Sequence, residues 1–368
     1  MTQVSNWSAR AIKAWQDGLG GGKIRQNANE SPWDLPADLK AEILTTMASL
    51  PFERYDFALR SQLAAALADY SGIPAEQIVL GNGADELIQV AMMALPKPGG
   101  RILITSPTFI VYPMTAAALG RPVVDVPLLK PGFCLDTAGI LAAARPGDLV
   151  FVCRPNNPTG NVFPRDEVLD LVRKLNGRQV SVIVDEAYFE FAGETVAAHV
   201  LDPTMPNLVV LRTLSKAFRL AGLRIGYALA AAPLVKQLEA ARLLYNLSAS
   251  STVAALGVLS RPSLASETAA AIRTLREALA QDLATLPGVT VYPSQTNFLL
   301  VDLPCATSAV VPRLADQGIL IRDYPGEAGL ERSVRISVGD AEANSRVVAA
   351  LAAALAASTA CQLGGAGR

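Results

Sequence analysis

Apolar and polar positions fall into two recurring patterns along this chain. Short runs rich in β-branched residues, at 78–80, 102–104, 149–152, 180–184, 208–211 and 225–229, have the length and composition of buried strands, and most end in a polar cluster. Between them, residues 38–47, 59–70 and 165–175 carry apolar residues at helical spacing; in the second, Leu63, Ala66, Leu67 and Tyr70 share one face. Strands that alternate with helices predict βαβ units, and so an α/β large domain whose mostly parallel sheet is flanked by helices. After Arg261-Pro262-Ser263 the pattern changes. One long helix, with Ile272, Leu275, Leu279, Leu283 and Leu286 on a face, leads into strands at 289–292, 298–301, 319–322 and 333–338, which predicts a smaller α+β domain. In its last strand Val334, Ile336 and Val338 point one way, which sends Arg335 to the opposite face. The expected organisation is an N-terminal arm over 1–36, a large domain over 37–262 and a small domain over 263–368. The arm holds a short helix at 8–15, broken by Gly18, Gly20, Gly21 and Gly22.

Open sheets of this kind bind ligands beyond the carboxyl ends of their strands. Asn157, Asp185 and Lys216 are all expected at that address. An aspartate that closes a buried strand is costly unless it meets a cation, and a protonated pyridine nitrogen is one. Asn157 and the Tyr188 hydroxyl can donate to a ring phenolate. Lys216 offers an amine for an imine bond, while Ser215, Arg224 and the amides after Gly83 can cradle a phosphate ester. These are the requirements of pyridoxal 5′-phosphate. A lone Ser-Lys pair is an ordinary loop feature; the shared position of all these groups is what lifts them above it.

Composition narrows the alternatives. With 32 basic against 33 acidic side chains there is no basic field for nucleic acid and no polybasic surface for anionic lipid. The apolar run at 347–357 is alanine-rich and shorter than a bilayer span, and the opening MTQVSNWSAR lacks a signal core, so a cytoplasmic enzyme is expected. Cys134, Cys153, Cys305 and Cys361 form no C-x-x-C pair, and His199 is the single histidine, so no metal site is expected. Asp17 and Ile24 stand where a phosphate-binding P-loop needs glycine and a hydroxyl. Glu86 stands where the dinucleotide fingerprint Gly81-x-Gly83 needs its third glycine. That weakens a nicotinamide-dependent dehydrogenase as the competing class; a non-catalytic regulator with a cofactor-like pocket is the other.

PNNPTG at 155–160, DEAYFEF at 185–191 and TLSKAFRLAGLRIGY at 213–227 closely resemble the fold-type I pyridoxal-phosphate aminotransferases. With NANESPW at 27–33, RYD at 54–56, GNGADELI at 81–88, NFLLV at 297–301 and VRISVG at 334–339, the chain resembles their histidinol-phosphate aminotransferase branch over nearly its whole length. The resemblance implies a homodimer that exchanges an amino group between a small-molecule donor and a 2-oxo acid. It implies that Lys216 is the Schiff-base lysine, that Asp185 pairs with the pyridine nitrogen, and that Asn157 and Tyr188 hold the ring oxygen. Gly83, Ala84, Asp85, Ser215 and Arg224 would line the phosphate cup, Tyr55 would reach that phosphate from the other subunit, and Phe109 would stack on the ring. Arg335 and Arg322 would clamp the substrate anion, with Asn29, Asn157 and Trp15 nearby. The branch usually has tyrosine where Trp15 and Phe109 stand, which keeps open a related donor such as an aromatic amino acid. A threonine-phosphate decarboxylase shares the lysine motif, but NANESPW and Arg322 lean toward the transaminases.

Overall fold

The structure, a computed structural model, describes residues 23–364. The expected helix at 8–15 and Trp15 lie outside those residues. In chain order the strands are β1 (Ile24–Gln26), β2 (Ile78–Asn82), β3 (Ile102–Ile104), β4 (Val123–Asp125), β5 (Leu149–Cys153) and β6 (Ser181–Asp185). There follow β7 (Leu208–Thr213), β8 (Ile225–Ala230), β9 (Thr290–Val291), β10 (Phe298–Asp302), β11 (Ile319–Asp323) and β12 (Ser333–Ser337). The chain divides into two compact units. One comprises Trp33–Asn157 and Asn161–Ala269; the other comprises, among the described residues, 23–32, Pro158–Gly160 and 270–364.

The first unit is built on a seven-stranded sheet of order β2-β8-β7-β6-β5-β3-β4. All neighbours pair in parallel except β8, which is antiparallel to both β2 and β7. Six strands therefore deliver their carboxyl ends to one edge, where β8 begins. Every residue of β5, β7 and β8 is buried, as expected of strands covered on both faces, whereas β4 at the end of the sheet has no buried residue. The core on one face joins Phe151, Ile183, Val209 and Ala228 of the sheet to Leu87, Ile88 and Ala91 of the helix Gly83–Ala94. Helix Arg165–Asn176 buries Val168, Leu169, Leu171, Val172 and Leu175; Asp166 and Glu167 in its first turn and Arg173 and Lys174 in its last complement its dipole. Asp56 caps helix Phe57–Ser71 by accepting from the Leu59 amide, and Gly72 ends it in the left-handed conformation with φ 70°.

The second unit holds a five-stranded sheet of order β1-β11-β12-β10-β9. Its core gathers Val334 and Ile336 with Leu299, Val301, Leu279, Leu283 and Leu351. Arg335 lies on the other face, its guanidinium 5.3 Å from the Phe298 ring.

Several expected boundaries move. β2 runs on through Gly81 and Asn82, two residues past the expected run at 78–80, and the helix starts at Gly83. The strand expected at 180 starts at Ser181, and β1 was not expected at all; three residues carry too little pattern to be read before the parallel pairing with β11 is known. Ala66 and Tyr70 are half-buried where a fully buried face was expected. No described helix is long and apolar enough to cross a membrane.

Candidate active site

The carboxyl edge of the seven-stranded sheet gathers the polar groups of the first unit. β5 ends at Cys153 and passes into a loop whose Asn156 and Asn157 are buried. Asn156 is tied to the neighbouring strand's loop, its Nδ2 donating to the Pro107 carbonyl at 2.9 Å and its Oδ1 accepting from the Thr108 hydroxyl at 3.1 Å. Asn157 is thereby held with its Nδ2 3.5 Å from the Tyr188 hydroxyl. Two of the expected residues thus share one spot.

β6 ends in two carboxylates that meet opposite fates. Glu186, fully buried, accepts from the Val196 amide at 2.6 Å and the Thr195 hydroxyl at 2.6 Å, and pairs with Arg212 of β7 at 3.0 Å. Arg212 in turn lies 3.7 Å over the Phe189 ring. Asp185 has only neutral donors. The Tyr112 hydroxyl donates to its Oδ2 at 2.7 Å and the Ala187 amide to its Oδ1 at 3.1 Å, with no ion-pair partner among the described residues. Burial pushes the Asp185 carboxyl up to about 6, although the Tyr112 and Ala187 bonds work against the rise.

β7 ends at Thr213, whose hydroxyl accepts from the Ser215 amide at 3.1 Å and lies 2.8 Å from the Ser215 hydroxyl. This turn brings Lys216 to the edge, half-buried, with its Nζ 5.8 Å from the centroid of the Tyr188 ring. Arg224, just ahead of β8, is held in the left-handed region with φ 53° and directs its guanidinium to Ser215 Oγ at 3.4 Å and to Asp85 at 3.0 Å. Gly83 has φ +76°, and a Cβ there would stand 2.3 Å from Arg224 Nη2. A Cβ on Gly226 would stand 2.5 Å from the Ala84 amide. Two bare glycines, a helix N-terminus, a serine and a guanidinium therefore converge where an anion is favoured. Phe109 is half-buried and meets Tyr112 edge-on, ring centroids 5.6 Å apart.

The donor set fits pyridoxal 5′-phosphate. A buried acid without a cationic partner suits a protonated ring nitrogen, the Asn157–Tyr188 pair suits a ring oxygen, the glycine-lined cradle suits the phosphate, and Lys216 supplies the amine. Among the described residues no group of histidine, cysteine, aspartate and glutamate could hold a metal ion.

Three contributors were not foreseen: Tyr112, and the Glu186–Arg212 pair. The pair left a signal, opposite charges at the ends of two adjacent apolar runs. Tyr112 left none, because a tyrosine in the first turn of helix Val111–Ala118 reads as packing. Tyr55, expected to serve another subunit, is 74% exposed and stacks on Tyr245 with ring centroids 4.2 Å apart.

In the second unit Arg322 and Arg335 are direct register partners across β11 and β12. The Arg335 guanidinium donates to the Asn27 carbonyl at 2.7 Å, and the Arg322 guanidinium lies 5.9 Å over the Tyr324 ring. Asn29 is buried against the same sheet, its amide donating to Ser337 Oγ at 2.8 Å.

Comparison with known proteins gives a consistent family. Residues 18–351 match the family described as aminotransferase class I and II. A histidinol-phosphate aminotransferase of Thermoanaerobacter pseudethanolicus is 37% identical over 329 residues, 89% of this chain and 91% of that protein. The Chromobacterium violaceum enzyme of the same name is 38% identical over 93% of this chain and 95% of its own length. Among solved structures, the histidinol-phosphate aminotransferase of Sinorhizobium meliloti in complex with pyridoxal-5′-phosphate has a TM-score of 0.81 at 29% identity, covering 90% of both chains.

The raised Asp185 carboxyl yields a prediction for the cofactor-free protein. A folded-state value raised from 3.8 to about 6 means stability that is lost as pH rises through that interval, by up to about 3 kcal/mol at roughly 1.4 kcal/mol per unit. Asp185→Asn removes the penalty while keeping an acceptor for Tyr112. Denaturant titration at pH about 8 is expected to show the cofactor-free variant more stable than wild type, with the difference shrinking below pH about 4; a variant that is less stable at the higher pH contradicts the account.

Proposed function

This chain belongs to the class I and II aminotransferases, and from that premise we propose that it transfers the amino group of L-histidinol phosphate to 2-oxoglutarate, giving imidazole-acetol phosphate and L-glutamate in histidine biosynthesis. Its cofactor is pyridoxal 5′-phosphate, which when bound supplies an electron sink for the negative charge that develops on the substrate carbon. The observation that carries the reading is Asp185, the buried acid supplied only with neutral donors beside an amine, a paired amide and phenol, and an anion cradle.

The residues divide the work. Lys216 Nζ would hold the cofactor covalently and, when free, would move the proton at the amino-bearing carbon of the substrate. Asp185 keeps the ring nitrogen protonated. Asn157 and Tyr188 would orient the ring oxygen, and Phe109 would offer the ring an apolar surface. Ser215, Arg224 and the amides of Gly83, Ala84 and Asp85 hold the phosphate. Arg335 and Arg322 receive the substrate anion with Asn29. The two arginines are register partners on neighbouring strands, like charges that pair unfavourably on their own, and a phosphate monoester supplies charge for both.

The active assembly is a homodimer to which each protomer contributes Tyr55. Support comes from the surface around it. Phe52 (85% exposed), Tyr55, Phe57, Leu244 and Tyr245 line one groove together with Arg54, Asp56 and Arg60, a cluster of exposed large apolar side chains that a partner surface would cover. The compartment is the cytoplasm, consistent with the unpaired thiols of Cys134, Cys153 and Cys305.

In an assay with 2-oxoglutarate, histidinol phosphate is expected to be the efficient donor, ahead of phenylalanine and of threonine phosphate; efficient conversion of phenylalanine alone would replace the substrate and leave the chemistry. Lys216→Ala is expected to abolish amino transfer with an unchanged circular dichroism spectrum, and near wild-type turnover would remove Lys216 from its role. Sedimentation is expected to give a dimer, and Tyr55→Phe to retain that dimer while loosening the cofactor; a monomer with full activity contradicts the assembly.

A further inference from the structure

Tyr112 does more than fill the core. It stands in the first turn of helix Val111–Ala118, completely buried, stacked on Phe151 of β5 with ring centroids 4.7 Å apart and edge-on to Phe109. Its surroundings are apolar, with Ile104, Ala116 and Ile183 in the same core, so phenylalanine would satisfy the packing. What the packing does not require is the hydroxyl. A phenol in a dry interior needs an acceptor, and this one has Asp185 Oδ2 at 2.7 Å. The nearby Cys153 thiol donates to the Pro155 carbonyl at 3.3 Å, so the side-chain donor to Asp185 is the phenol.

We propose that Tyr112 is a positioning residue for the transamination reaction, its hydroxyl holding Asp185 ionised and in the orientation that meets the cofactor's ring nitrogen. The inference rests on the role given to Asp185 above. The ring is packed between Phe109 and Phe151 with no exposed surface, so it acts through the carboxylate. Fixing Oδ2 with one strong bond and Oδ1 with the Ala187 amide sets the plane of the carboxyl group, and both oxygens keep lone pairs for a third donor. A hydrogen bond to the charged form favours that form, which opposes the effect of burial. The other titratable groups that act on this carboxyl are Cys153, Asp85 and Glu186.

The test uses the cofactor-loaded enzyme and its cofactor-free form. Tyr112→Phe, which preserves both ring contacts, is expected to weaken pyridoxal 5′-phosphate binding about tenfold or more, the range for losing a bond to a charged group. It is also expected to move the pH midpoint of the visible absorbance change upward, because a less reliably ionised Asp185 leaves the ring less positive. Replacing Tyr112 with 3-fluorotyrosine, a stronger donor of nearly the same shape, is expected to move that midpoint the other way, and it serves even where Tyr112→Phe folds poorly. In an Asp185→Asn background the Tyr112→Phe change is expected to add little. Unchanged affinity and midpoint in Tyr112→Phe overturn the proposal, as does an effect undiminished in the Asp185→Asn background, which would make Tyr112 a packing residue. Asp185→Asn that binds the cofactor like wild type removes the role of Asp185 and this proposal with it, a result separable from the first two.

Discussion

Two consecutive carboxylates at the buried end of β6 set the character of this protein. Successive side chains in a strand leave on opposite sides, so Asp185 and Glu186 face different surroundings. Glu186 meets Arg212 from the neighbouring strand, and the charge is neutralised within the chain. Asp185 receives a phenol and an amide, which stabilise a carboxylate without cancelling it. A fold that matches one of two adjacent charges internally and leaves the other to neutral donors keeps the second available to a positive partner from outside. The Glu186–Arg212 pair also cross-links the ends of β6 and β7, the strands that deliver Asp185 and Lys216, so the internally matched charge fixes the spacing at which the other works.

The remaining groups follow from sheet order. β5, β6 and β7 are adjacent and parallel, so Asn157, Asp185 and Lys216 emerge side by side although far apart in sequence. β8 runs the other way and contributes from its start, where Arg224 adopts φ 53°. β2, paired with β8, places Gly83 against that arginine. The anion cradle therefore comes from the antiparallel corner of an otherwise parallel sheet.

Much of this was legible in the residues. Buried parallel strands are continuous apolar runs, and each ended within a residue or two of where its polar cluster began. The alternation in β12 placed Arg335 opposite Val334 and Ile336 because a strand allows no other arrangement. What escaped depends on contacts between distant segments. β1 is three residues long and exists by virtue of β11. β2 continues through Gly81 and Asn82 because β8 pairs with them, against the turn tendency of both residues. Tyr112 carries no local signal, since its partner Asp185 is 73 residues away.

The smaller sheet has a consequence of its own. Arg322 and Arg335 are set face to face at matching positions of neighbouring strands, an arrangement that a sheet selected for robustness would avoid. On the substrate-binding role proposed for them, a dianion held by both would offset the unfavourable pairing of like charges. On that proposal ligand and scaffold would be thermodynamically linked: the sheet would become firmer when occupied, and neutral replacements that toughen it against heat would do so by discarding its reason to bind.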